Sequence, residues 1–264
     1  MDWVAYVAVG AVVGVLAGML GIGGGAIIVP LLAELLDARG IGRDHVLHLA
    51  VGTSMATILI TSLSSVHAHQ VRGSVRWDIV RRITPGILVG AFVGSLLAGF
   101  VSTRALAVFF ALLVSALAVN MLFDRKPKAS RELPGPAGMF AAGGVIGALS
   151  SLAAIGGAAM TVPFMLMCNV AALQAVGTAA AIGFPIAAAG TVGYIATGLA
   201  DPTLPRWSLG YVYVPALVGI TVASVVTAPW GARLAHAMPT RRLKQAFALL
   251  LLVMAARLVW RLWR

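Results

Sequence analysis

Of 264 residues, 60% are hydrophobic and only 10% charged, too few to cover the chain with a wetted surface, since soluble domains carry roughly 25% charged residues. The net charge of +11 does not point to nucleic acid, because the basic residues form short clusters between apolar segments, as in membrane proteins anchored by Lys/Arg loops. The single cysteine, Cys168, excludes an intrachain disulfide framework, and no Cys-x-x-Cys or His/Cys cluster suggests a metal or other cofactor.

The first apolar segment covers residues 4–36. The opening MDWVAYVAVG has no basic stretch ahead of its apolar run, so a cleaved signal peptide is not expected. As one helix the segment would be ~50 Å long, too long for a ~30 Å hydrocarbon core. The run GIGGG at 21–25 interrupts it, which predicts two pieces, 4–20 and 26–36, joined by an unwound corner. Segments 47–68, 79–100 and 105–123 follow. The stretch DRKPKASRELPGP at 124–136 holds three prolines and reads as an aqueous linker. Beyond it lie 137–168, broken by IGGA into 137–153 and 158–168, then 172–198, 209–232 and 243–263.

The second group echoes the first. GVLAGMLGIGGGAIIVP at 14–30 matches GALSSLAAIGGAAMTVP at 147–163 at eight positions, including Gly23/Gly156, Gly24/Gly157 and Pro30/Pro163. AVGTSM at 50–55 echoes AVGTAA at 175–180, and VSTRAL at 101–106 echoes MPTRRL at 238–243. The expected fold class is therefore an all-α polytopic membrane protein made of two homologous four-segment repeats, each opening with a Gly-rich broken helix. The expected units are repeat 1 at 1–123, the linker at 124–136 and repeat 2 at 137–264.

Each broken segment either folds back on itself, which inverts the repeats, or crosses once, which makes them parallel. Loops 69–82, 124–136 and 233–244 each carry four Lys/Arg. Folding back puts all three on one side, the tidier arrangement under the positive-inside rule, so inverted repeats are preferred. Transporters built from inverted repeats bind substrate between the repeats, near the bilayer midplane.

Irregular backbone at membrane depth is tolerated where protein buries it or where it lines a wet cavity. Gly21, Gly23, Gly24 and Gly25, and Gly156 and Gly157 in the second copy, lead into helix N-termini, whose first N–H groups lack partners within the helix and carry partial positive charge. Such corners suit an anion. Close helix packing through Gly14 and Gly18 is the plainer alternative. All eight acidic residues fall at or near segment ends, so no mid-span carboxylate marks a cation path. Thr53, Thr57 and Thr61 recur every four residues on one helix face, with Ser54 beside them and Thr178 matching Thr53. Their hydroxyls either complete an oxyanion shell or bond within and between helices. His67 and His69 suit interface anchors, or a proton relay. No nucleotide-binding loop is present, and no set of paired carboxylates or nucleophile with base suggests an enzyme.

The motif GxxxGxxGIGGGxxxVPLL at 14–32, its copy at 147–166 and the paired AVGT stretches resemble the TauE/SafE family of membrane transporters. That resemblance covers nearly the whole chain. It implies a multi-pass protein of the cell membrane that moves, and by the family's usual description exports, sulfite, sulfonates or related sulfur-containing anions. The partners it implies are the small anionic substrate, the bilayer and a coupling proton or ion, with homo-oligomers allowed and no nucleic acid. A passive anion channel and a non-transporting assembly partner are the alternatives. The second motif departs from the first where Gly21 and Gly25 become Ala154 and Ala158.

Overall fold

A computed structural model describes residues 3–20, 24–41, 45–123, 132–236 and 240–262. Among these the chain is helical apart from one small hairpin. In chain order the helices are α1 (Trp3–Leu20), α2 (Gly25–Ala38), α3 (Val46–Val71), α4 (Trp77–Phe100) and α5 (Thr103–Phe123). After the linker come α6 (Pro136–Ala153), α7 (Ala158–Met167) and α8 (Ala172–Gly198), then strands β1 (Ser208–Leu209) and β2 (Val212–Tyr213), then α9 (Val214–His236) and α10 (Thr240–Leu262). Helices α3, α4, α5, α6, α8 and α9 contain windows long and apolar enough to cross a membrane, and the described parts of α1 and α10 give shorter apolar helices. The protein is thus an all-helical, multi-pass membrane protein. Most of the linker, 124–131, lies outside the described residues.

One expected segment is corrected. The stretch 209–232 does not open as helix, because residues 208–213 form the β1–β2 hairpin, paired Ser208 to Tyr213 and Leu209 to Val212. Gly210 turns the hairpin with φ +54°, a conformation that interrupts a helix and that glycine adopts without a Cβ clash.

Two close helix pairs dominate the packing. Along α1, Gly10, Gly14 and Gly18 face Ile220, Ser224 and Ala228 of α9. Along α4, Gly86, Gly90 and Gly94 face Phe140, Gly144 and Ala148 of α6. Both rows ascend together, so each pair is parallel. The four-residue glycine spacing keeps one ridge free of side chains and lets backbones touch, the main source of helix affinity where lipid is as apolar as the core. Ser224 Oγ and Thr227 Oγ1 add bonds to the Gly10 and Ala11 carbonyls at 2.9 and 3.0 Å.

The other contacts fix direction. Gly52 of α3 meets Tyr194 of α8, while Met55 meets Gly190, so α3 and α8 are antiparallel. Ser95 and Gly99 of α4 meet Gly193 and Thr197, so α4 and α8 are parallel. Helices α6 and α8 therefore run the same way, and α7 carries the chain back between them. Helix α9 follows α8 through the hairpin and returns alongside α3, and α1 is parallel to α9. Helices α1 and α3 therefore also run the same way, and α2 carries the chain back between them.

Candidate functional site

The two interrupted segments meet inside the molecule. Gly24 caps α2 with φ +72°, and the position a Cβ would take there lies 3.1 Å from the side chains of both Ala17 and Val13. Only a chain folded back along α1 brings Gly24 that close to Val13. Gly25 rests directly on the backbone carbonyl of Ala154, so the first corner touches the second. Ala154 ends α6 with φ 46°, and Ile155, Gly156 and Gly157 lead into α7. Gly21 and Gly23 lie outside the described residues.

A cavity of about 400 Å³ opens beside the second corner. Gly156, Gly157 and Ala158 form part of its wall, at the N-terminal end of α7. The polar wall comes from the C-terminal half of α3, through Thr57, Thr61, Ser62, Ser64 and Ser65. Thr57, Thr61, Ser65 and Ala68 recur at helical spacing, so one stripe of α3 faces the open space. The remaining walls come from α1, α8 and α9, with Ile28 of α2 and Ile58 of α3, and are chiefly apolar, with Ser224 the polar exception. Among the described lining residues none is charged.

The α3 hydroxyls that line the cavity largely bond to their own helix. Thr57 Oγ1 donates to the Thr53 carbonyl at 2.9 Å and Thr61 Oγ1 to the Thr57 carbonyl at 3.1 Å. Ser62 and Ser64 donate to Leu59 and Thr61. Those carbonyls also take part in the backbone ladder of the helix, so a hydroxyl can rotate toward a ligand without orphaning one.

The structure separates the residues singled out from the sequence. Gly156, Gly157 and Thr57 come together at the cavity. Thr53, Ser54 and Thr178 do not reach it. Thr53 Oγ1 accepts the Tyr213 N–H at 2.9 Å, immediately before α9. Thr178 Oγ1 accepts the Arg76 N–H at 2.9 Å, immediately before α4. The preceding glycines do matching work: Gly52 abuts the Tyr211 carbonyl and Gly177 the Ser74 carbonyl. Each AVGT stretch thus seats the start of a long helix from the other half of the chain. Ser54 is fully buried and its hydroxyl has no partner among the described residues. Gly24 and Gly25 are buried against α1 and Ala154.

At the end of α3 opposite the cavity sits a polar cluster that the sequence did not single out. His45 Nε2 lies 2.8 Å from Asp201 Oδ2. The rings of His45, His48 and Tyr211 pack at centroid distances of 5.1 to 5.7 Å. His48 Nε2 bonds the Ala98 and Val101 carbonyls at 2.9 and 3.0 Å. Hydrogen bonds from the Thr203 hydroxyl and N–H, with His45 nearby, hold the Asp201 carboxyl below its usual range. Burial pushes the Tyr211 phenol up. These residues lie about 150 positions apart in sequence, so no local spacing signals the cluster.

The family profile described as "Sulfite exporter TauE/SafE" matches residues 6–258. A "Probable membrane transporter protein" of Haemophilus influenzae is 38% identical over 94% of this chain and 94% of its own. The "Probable membrane transporter protein YdhB" of Bacillus subtilis is 30% identical over 89% of this chain and 91% of its own. A probable membrane transporter protein of Methanocaldococcus jannaschii is 28% identical over 93% and 91%. No solved structure matches the fold with significance.

Proposed function

Since the chain belongs to the sulfite exporter TauE/SafE family, we propose that it is a secondary transporter of small anions, foremost sulfur oxyanions such as sulfite or sulfonates, working by alternating access of two inverted repeats. The observation that carries this is the cavity at the junction of the halves, walled by the N-terminal end of α7 and by the hydroxyl stripe of α3. The first N–H groups of a helix offer donors and partial positive charge to an anion. Rotated hydroxyls add further donors. Gly156, Gly157, Thr57 and Thr61 are the proposed binding residues, with Gly21 and Gly23 as candidates from the first corner.

The packing supports two inverted halves. Helix α1 lies on α9 of the other half, as α6 lies on α4. The equivalent helices α3 and α8 cross antiparallel. Thr53 and Thr178 make corresponding bonds across the halves. These contacts favour 1–123 and 137–264 as the two repeats.

The test is flux of labelled sulfite, sulfonates and thiosulfate in sealed proteoliposomes, with and without a pH gradient. Saturable, gradient-driven flux of one of these anions is expected. Saturable flux that no gradient drives uphill would make the protein a passive facilitator, and no flux from folded, inserted protein would remove the anion assignment.

A further inference from the structure

The open cavity has a counterpart beyond the corners, and the counterpart is shut. The echoes pair the halves at 133 positions between Gly14 and Gly147 and at 125 between Thr53 and Thr178. Gly18, Ser65 and Ala180 stand around the open cavity. Their counterparts Ser151, Gly190 and Met55 come together: a Cβ on Gly190 would lie 3.3 Å from Met55 Sδ and 3.6 Å from Ser151 Cβ. Tyr194 of α8, wholly buried, fastens the same place by donating to the Ser151 carbonyl at 3.2 Å. Its counterpart in the first half, His69, instead has Nδ1 3.2 Å from Ser74 Oγ in the loop that follows α3.

The shut side also holds hydroxyls with nothing to bond. Ser54, Ser150 and Thr161 are at most 1% exposed, and their oxygens have no partner among the described residues. Each is the counterpart of a residue that lines the open cavity, Ala179, Ala17 and Ile28 in turn. An unpaired buried hydroxyl is costly, and three at such corresponding positions call for a state in which they are satisfied.

We propose that α3, α6, α7 and α8 enclose a second chamber, shut in this structure, which opens to the opposite membrane face and wets Ser54, Ser150 and Thr161 as the first cavity closes, with Tyr194 as its latch. This deepens the alternating-access reading above and rests on it. Because α3 and α8 are antiparallel, their C-terminal halves run toward opposite faces. The substrate then meets different hydroxyls on each side: Thr57, Thr61 and Ser65 in the open cavity, and Ser54, Ser150 and Thr161 in the second chamber. The Thr53 bond to the hairpin need not break, since the corresponding Thr178 bond is made on the side already open.

The experiment is thiol accessibility. Cys168, the single cysteine, is replaced by Ala, and Ser65→Cys, Ser54→Cys and Ser150→Cys are made singly in that background. A membrane-impermeant methanethiosulfonate is applied to sealed right-side-out and inside-out vesicles, and anion flux is measured on the same preparations. Ser65→Cys should react from the cavity face, and Ser54→Cys and Ser150→Cys only from the opposite one. Adding Tyr194→Phe should speed labelling of Ser54→Cys and Ser150→Cys about fivefold, the factor that one ordinary hydrogen bond gives. Unchanged labelling in Tyr194→Phe overturns the latch. If Ser54→Cys and Ser150→Cys react from neither face in protein that still carries flux, the second chamber is overturned and transport stands. Reaction of either from the cavity face overturns the chamber too. The expected labelling without flux of any anion keeps the second chamber and removes the transport reading.

Discussion

Helix α3 is buried without interruption from Leu47 to Ile58, and beyond Leu59 its Thr61–Ser65–Ala68 face borders the cavity. The buried stretch carries Gly52 and Thr53, both pressed against the residues that precede α9. The cavity stretch carries hydroxyls that bond only their own turns. Helix α8 divides in the same way: Gly177 and Thr178 seat the start of α4, and Ala179, Ala180 and Gly183 line the cavity. Threonine therefore has two uses in one helix. A hydroxyl that accepts a distant backbone N–H holds the fold, and one that only back-bonds to its own helix stays available to a ligand.

That division breaks most severely at Gly52. A side chain there meets the Tyr211 carbonyl and, at 3.2 Å, Tyr194 Cβ, and neither can yield without moving the hairpin or α8. Gly52→Val is expected to cost at least ~3 kcal/mol and to remove most folded protein. Size-exclusion chromatography in detergent checks it, and a normal monodisperse yield would separate Gly52 from the fastening role. Thr53→Val comes next. It leaves the Tyr213 N–H buried without an acceptor, a loss of about 1–3 kcal/mol. The thermal midpoint should fall while the surviving protein keeps its apparent KM. A raised KM with an unchanged midpoint would return Thr53 to the substrate.

Thr57→Val sharpens the contrast from the other side. Its hydroxyl bonds only the Thr53 carbonyl, so its removal strands no donor. Stability should move by less than about 1 kcal/mol, while KM rises about tenfold through the loss of one bond to a charged ligand. Equal KM values for wild type and Thr57→Val would take that hydroxyl out of the binding site.

The apolar segments and the break between α6 and α7 were legible because composition and punctuation are local. Pieces predicted at 137–153 and 158–168 correspond to α6 at 136–153 and α7 at 158–167. The paired AVGT stretches were visible as an echo, and their meaning was not. A period of four on α3 put Thr53, Thr57 and Thr61 on one face, but a face does not say what covers it. Thr53 is covered by a hairpin 160 residues away, whereas Thr57 borders open space. The hairpin itself was hidden inside an apolar run, since LGYVYV is as compatible with a short strand as with a helix entry. His45 and Asp201 escaped notice because their contact exists only once α8 has crossed α3.

The smallest expected effect lies at that polar cluster, where the fastened end of α3 is joined to the loop after α8. Asp201 bonds the Thr203 N–H at 2.9 Å and the Thr203 hydroxyl at 2.6 Å, and pairs with His45 at 2.8 Å. Its folded carboxyl is held below the usual value, so its contribution is present above the unfolded pKa and is lost as pH falls through the folded one. Asp201→Asn should therefore lower the thermal midpoint at neutral pH by an amount worth less than about 1 kcal/mol, because the pair is partly solvated. The gap between variant and wild type should begin to narrow below about pH 4, the ordinary carboxylate value, and close only as pH falls through the lower folded one. Because the cluster belongs to the fastened end, Asp201→Asn should leave the substrate KM where Thr57→Val moves it. A KM shift in Asp201→Asn at neutral pH would mean that the two ends of α3 are coupled, and that the fastened end moves when the cavity fills.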